Sequence, residues 1–173
     1  MKNIKNLKNE IISGKIFIYP TDTIYGLGCN AENKEAVEKI KQIKKRDKDK
    51  PLSVIAPSLE WISQNLIIDF DINKYLPGPF TIILKKKDLS FLSHVSSVET
   101  LGVRIPDNPF TKEIQKARVP FITTSVNLTG EPFLIDIKNL KQDIKDKVDH
   151  IMDIGPLTGK PSTLIINGKE VKR

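Results

Sequence analysis

Three polar clusters in this chain stand directly after apolar runs, and their side chains are of the kinds that hold an anionic ligand. Pro20-Thr21-Asp22-Thr23-Ile24-Tyr25-Gly26 offers three hydroxyls, with Gly26 and Gly28 allowing close backbone approach. Lys44-Lys45-Arg46, followed by Lys48 and Lys50, gathers ammonium point charges around one guanidinium fork, the composition of a phosphate clamp. Cations at a helix C-terminus are also favoured by the macrodipole and by solvation alone, so this run has a plain structural reading too. Thr123-Thr124-Ser125-Val126-Asn127-Leu128-Thr129-Gly130 adds hydroxyls and an amide, with Ser125 and Asn127 spaced to share one side of an extended chain. Hydroxyls, amides and cations together suit a ligand carrying phosphate and carboxylate groups. Only four of the 28 basic residues are arginine (Arg46, Arg104, Arg118 and Arg173), and three of these fall beside polar motifs. In so lysine-rich a chain, those positions are where a planar, bidentate fork is expected.

Several chemistries are excluded or weakened. Gly155-Pro156-Leu157-Thr158-Gly159-Lys160 lacks Walker A spacing, and there is no Gly-x-Gly-x-x-Gly. His94 and His150 are too isolated to argue a triad or a metal site. The single cysteine, Cys29, excludes an intramolecular disulfide and a cysteine-based zinc site, and reads as a small buried residue rather than a nucleophile. A formal charge of +7 favours anionic partners such as nucleotides, RNA or acidic metabolites, although lysine on solvated faces needs no function. At 173 residues the chain is expected to form one domain, 1–173. Its apolar runs are far shorter than a membrane span, and the N-terminus has no signal-peptide pattern, so the expectation is a cytoplasmic protein with no membrane partner and no protein-held metal.

The elements that must position these clusters alternate between strand and helix. Ile4, Leu7, Ile11 and Ile12 form a helical stripe closed by Gly14; Ile16–Tyr19 is a buried strand; Thr21–Asn30 reads as a loop or short helical turn. Asn33 caps a helix with Ala36, Val37, Ile40 and Ile43 on its apolar face, ending near Lys44. Strands are predicted at Leu52–Ala56, Phe80–Leu84, Leu101–Ile105, Val119–Thr124, Ile151–Ile154 and Thr163–Ile166. Helices are predicted at Leu59–Leu66, near Ile72–Tyr75, at Phe110–Ala117 and at Ile137–Val148, with Lys85–Ser97 a loop. The class is α/β with a twisted mixed sheet and flanking helices.

The ordered set of motifs resembles the YrdC/Sua5/TsaC family of threonylcarbamoyl-AMP synthases in its short single-domain form. The resemblance runs from about Ile11 to Arg173 and includes Tyr19–Gly28, Lys44-Lys45-Arg46, Pro51-Leu52, Pro77-Gly78-Pro79-Phe80-Thr81, Gly102-Val103-Arg104-Ile105-Pro106, Thr124–Gly130 and Pro161-Ser162-Thr163-Leu164-Ile165. It implies a YrdC-like fold around a concave basic cavity, without the C-terminal extension of the longer Sua5 form. The implied reaction joins L-threonine, bicarbonate or CO2 and ATP, with Mg2+ carried by the phosphates, into threonylcarbamoyl-AMP and pyrophosphate. The product serves the t6A modification of ANN-decoding tRNAs and passes to a TsaD-type threonylcarbamoyl transferase complex. Asp47 stands where the family usually has proline, and Asp22 where it often has glutamate.

By the same resemblance, Thr21, Thr23, Tyr25, Arg104, Thr123 and Ser162 are candidates for L-threonine, with Arg104 a partner for its carboxylate. Lys44, Arg46, Lys50, Ser125, Asn127 and Arg173 are candidates for ATP, and Lys44, Arg46 and Asn127 for catalysis. Two alternatives stay open: a double-stranded RNA or tRNA-binding module without chemistry, and a YciO-like paralogue that lacks synthase activity.

Overall fold

A computed structural model describes residues 6–47, 49–157 and 159–171. Its helices are α1 (Leu7–Ile12), α2 (Lys34–Ile43), α3 (Leu59–Asn65), α4 (Pro109–Ala117) and α5 (Gln142–Lys145). Its strands are β1 (Phe17–Tyr19), β2 (Gly26–Gly28), β3 (Ser53–Ile55), β4 (Leu66–Ile67), β5 (Phe80–Lys86), β6 (Thr100–Arg104), β7 (Phe121–Ser125), β8 (His150–Ile151), β9 (Thr163–Ile166) and β10 (Lys169–Val171). They form one mixed sheet in the order β10-β9-β5-β6-β3-β7-β2-β1-β8, with β4 pairing against β5. The pairs β1/β8, β3/β6 and β5/β9 are parallel, and the rest are antiparallel.

Strand registers explain why one face is all core and the other holds a cavity. Ile165, Ile82, Val103, Val54 and Ile122 are consecutive cross-strand partners, and all five are fully buried. They belong to the larger apolar core, which also takes Ala36, Val37, Ile40 and Ile43 from α2. Successive side chains alternate between faces, so the residues between them line the opposite side. There, Phe17, Tyr19, Ile55 and Phe121 pack with Ile11 of α1 and Phe110, Ile114 and Ala117 of α4. Tyr19 stacks on Phe110, their rings 4.6 Å apart, and Phe121 meets both rings edge-on.

The same face turns polar beyond the cover of α1 and α4. Along β7 it runs Phe121, Thr123, Ser125; Thr123 pairs with Ser53, Ser53 with Gly102, and Arg104 with Ile55. Two glycines keep this floor open. A Cβ on Gly26 would sit 2.7 Å from the Tyr19 ring, and one on Gly102 would sit 2.4 Å from the Ser53 hydroxyl.

Most expected elements are present, with informative exceptions. The Thr21–Asn30 segment is not only loop, because β2 forms within it as a buried strand between β1 and β7. The expected Ile137–Val148 helix is instead a 3-10 turn at Ile137–Asn139 and the four-residue α5. Leu140 and Lys141 between them are extended, and the Asp136 side chain caps the first turn at Lys138 N–H. The Ile151–Ile154 strand is confined to His150–Ile151. The β9–β10 hairpin was not expected, although Asn167-Gly168, both at positive φ, is a favoured two-residue hairpin turn. The predicted Asn33 cap is in place, its Oδ1 accepting from Ala36 N–H at 3.0 Å. Ile4 lies outside the described residues.

Candidate functional site

A cavity of about 260 Å³ opens on the polar part of the sheet, between the strand ends, the loop after β1 and the Pro161-Ser162 segment. Of the residues expected from sequence, Thr21, Tyr25, Arg46, Arg104, Thr123, Ser125 and Ser162 line it. Two guanidiniums therefore face a set of hydroxyls. Among the described residues, no carboxylate, imidazole or thiol contributes to this lining.

Arg104 stands at the end of β6, nearly buried, and its Nη2 donates to Asp22 Oδ1 at 2.6 Å. The partner carboxylate in this structure is thus the protein's own Asp22. The other oxygen of Asp22 accepts from Asp107 N–H at 3.1 Å. Arg104 Nη2 also reaches Thr23 Oγ1 at 3.4 Å, and Thr23 Oγ1 lies 2.8 Å from Thr21 Oγ1. Thr21 donates to Ile24 O, so the proton between the two threonines belongs to Thr23. Polarity along this chain of bonds is fixed: Arg104 to Thr23 to Thr21 to the Ile24 carbonyl. Thr23 is buried but is not part of the lining itself.

The Tyr25 hydroxyl has a different task from the one its motif suggests. It donates to Gly155 O at 2.7 Å and accepts from Ile154 N–H at 3.1 Å, pinning the 153–155 segment beside the cavity. Burial raises its pKa, and Asp153 nearby adds to the effect. Tyr25→Phe is expected to lower stability by about 1–2 kcal/mol, because it leaves a part-buried carbonyl and an amide without this partner. Denaturant unfolding of the two proteins checks this.

Thr81, in β5, was not among the expected site residues. Its Oγ1 is 2.7 Å from Ser162 Oγ, and both side chains are buried in the wall. A hydroxyl two residues before Ile83 and after Pro77-Gly78-Pro79, inside an otherwise apolar strand, was the available signal. Thr124, part of the Thr123–Gly130 cluster but assigned no ligand from sequence, also lines the cavity, as does Ser53, which no motif contains. The Ser53–Thr123 pairing needed the strand order, which sequence spacing does not supply.

The cationic run divides into distinct roles. Arg46 is half-buried at the cavity edge, its Nη2 donating to Pro51 O at 2.7 Å and its Nε to Lys50 O at 3.3 Å. Removal from water lowers its pKa from the ordinary arginine value. Lys50 contributes this carbonyl, and its side chain is exposed outside the lining.

Lys44 is buried behind the wall. Its ammonium donates to Ser125 O, to Asn127 O at 2.9 Å and to Asn127 Oδ1 at 2.8 Å. Burial first, and then the charge of Arg46, lowers its pKa to about 8. Asn127 Oδ1 also accepts from Ser125 Oγ at 2.6 Å, and its Nδ2 donates to Glu131 O at 2.6 Å. Extended chain stops at Ser125, so Asn127 does not continue the lining as the alternation predicts. Lys44 and Asn127 shape the turn that presents Ser125. Arg173 lies outside the described residues.

Cys29 is fully buried, and desolvation pushes its thiol pKa up, as befits a core residue. No group of three potential metal-ligating side chains occurs among the described residues. Among them, no helix is long and apolar enough to cross a membrane.

A putative threonylcarbamoyl-AMP synthase of Methanocaldococcus jannaschii is 40% identical over 169 residues, covering 95% of this chain and 80% of that one. The structure of P. abyssi Sua5 complexed with L-threonine is 27% identical with a TM-score of 0.81, covering 94% of this chain. This chain spans 50% of that Sua5 chain. E. coli YciO is 28% identical with a TM-score of 0.81, covering 95% of this chain and 84% of its own. Residues 9–172 match the family designated Sua5, YciO and YrdC, whose description is telomere recombination. A twisted mixed sheet with flanking helices is thus the shared architecture, and the chain belongs to the Sua5/YciO/YrdC family.

Proposed function

We propose that this chain is an L-threonylcarbamoyladenylate synthase, an enzyme that joins L-threonine, bicarbonate or CO2 and ATP and releases pyrophosphate. The observation that carries the reading is the lining itself: two arginines among hydroxyls, with no carboxylate or imidazole among the described residues that form it. Relatives named threonylcarbamoyl-AMP synthase, and a similar chain complexed with L-threonine, support it. The fold alone does not select the synthase, since E. coli YciO shares it to the same degree.

The chemistry suits such a site. Threonine's amine adds to CO2 to give a carbamate and releases a proton. A carbamate oxygen then attacks the α-phosphorus of ATP, and the bond to pyrophosphate breaks. Neither step needs a covalent catalyst. The demand is to hold a labile carbamate in line with the phosphorus and to neutralise charge, which is positioning and electrostatic work. Magnesium enters as MgATP, with the phosphates as its carriers. The Arg46 side of the cavity takes the phosphates. Arg104, Thr123 and the Thr81–Ser162 pair form the side for threonine, with Arg104 toward the carboxylate. Ser125, whose proton goes to Asn127, offers lone pairs and suits a ribose hydroxyl better than a phosphate oxygen. The product supplies tRNA t6A formation through a separate transferase complex.

The test is pyrophosphate release by purified protein with MgATP and bicarbonate, with and without L-threonine. Threonine-dependent release, sharply reduced with serine, is expected. Absence of release from folded protein overturns the synthase reading. Salt-sensitive RNA binding in its place would identify a binding module, since counterion release makes such affinity fall steeply with salt.

A further inference from the structure

We propose that Asp22 is a positioning residue that orients the Arg104 guanidinium for the carboxylate of the amino-acid substrate. This rests on the synthase reading for the identity of that substrate. Asp22 is not part of the lining of this cavity, yet its carboxylate joins two segments that meet at it. Oδ1 holds Arg104 Nη2 at 2.6 Å, and Oδ2 takes the backbone N–H of Asp107, just beyond β6, at 3.1 Å. The side chains of Arg104 and Asp22 are only 7% and 12% exposed, so the pair is removed from water and screened little.

An arginine in this setting has a choice of rotamers unless something selects one. The β6 backbone fixes only the Cα of Arg104, four rotatable bonds from the guanidinium. Asp22 fixes the far end. Thr23 bonds the same nitrogen, and its own proton is committed to Thr21. One terminal nitrogen is therefore anchored from two adjacent residues of the loop after β1. The guanidinium plane is set before any ligand arrives, which reduces the ordering cost of a charge-assisted carboxylate contact. Asp22 also offsets the charge of Arg104.

The experiment uses Asp22→Asn and the longer Asp22→Glu in the full chain, with two readouts. The first needs no substrate: the side-chain Nε–Hε NMR signal of Arg104, assigned by its loss in Arg104→Lys. It is expected to be sharp in the parent protein, broadened or shifted in Asp22→Asn, and largely restored in Asp22→Glu. The second is calorimetric affinity for L-threonine and for L-threoninol, which lacks the carboxylate. Asp22→Asn is expected to weaken L-threonine about tenfold or more, the scale of one degraded charge-assisted contact, with threoninol changed by less than about twofold. Equal loss for the two ligands would mean a general structural role and overturn the proposal, as would an Arg104 signal indifferent to Asp22→Asn. Failure of the parent protein to bind threonine at all overturns the substrate assignment, while the NMR arm still decides whether Asp22 orients Arg104.

Discussion

Arg46→Ala is expected to lower kcat/KM for pyrophosphate release by roughly 10²–10³-fold, the loss typical of one preorganised charge-stabilising donor. Three features make Arg46 more than a surface cation. It lines the cavity, it is half-buried, and two of its nitrogens are tied to the carbonyls of Lys50 and Pro51. Those bonds hold the guanidinium in place at no cost when charge develops on a leaving pyrophosphate. Partial desolvation keeps the field of the charge strong in the cavity.

Arg46→Lys should recover little of the loss. A lysine presents one ammonium on a flexible stem and lacks the rigid planar fork whose separate nitrogens bond the two backbone carbonyls. Calorimetric affinity for L-threonine should stay within about twofold of the parent in both variants, because the proposed function gives the carboxylate end to Arg104. Turnover close to that of the parent in Arg46→Ala would sink the assignment of Arg46 to the phosphates.

Much of this architecture was legible in the sequence because it is local. The α2 helix follows from its Asn33 cap and its 3.6-residue apolar stripe. The strands β3, β6, β7 and β9 follow from short apolar runs bounded by polar or proline residues. What failed was also physical. The Ile137–Val148 stripe has helical periodicity, but an aspartate-capped turn and an extended Leu140-Lys141 divide it. β2 has two glycines in three residues, a poor intrinsic strand, and is held by its neighbours β1 and β7.

The site shows the same division. Residue types in the motifs pointed to the cavity, and seven of the positions expected from sequence line it. Spacing could not reveal which of them face the ligand and which hold the others. Lys44, Asn127 and the Tyr25 hydroxyl are turned toward the protein, and Thr81 and Ser53 face the cavity through strand pairing across long sequence separations.

Lys44 makes the most diagnostic pH prediction. With a pKa of about 8 in the folded protein, its ammonium is intact near neutrality and bonds three acceptors. Loss of the proton leaves an amine with two N–H groups for three oxygens. One of Ser125 O, Asn127 O and Asn127 Oδ1 then loses its bond to Lys44, and the turn presenting Ser125 loosens. Pyrophosphate release is therefore expected to fall as pH rises through about 8.

Stability should move the opposite way. The unfolded chain keeps this proton up to the ordinary lysine value near 10.5. Between about pH 8 and 10.5 the unfolded state therefore binds more protons than the folded one, and this group's contribution to stability rises with pH. Below about 8 both states are charged, and the folded state bears the full cost of burying the ammonium. Lys44→Met removes both dependences. Its activity at neutral pH should be lower by about 10²-fold, the usual consequence of displacing reacting groups by an ångström. Its stability relative to the parent should lose the pH-dependent rise in urea melts. In Arg46→Ala, where one of the two causes depressing the Lys44 pKa is gone, the fall in rate should shift to higher pH. A limb near pH 8 that persists unchanged in Lys44→Met would assign the titration to another group and remove Lys44 from the support of Ser125.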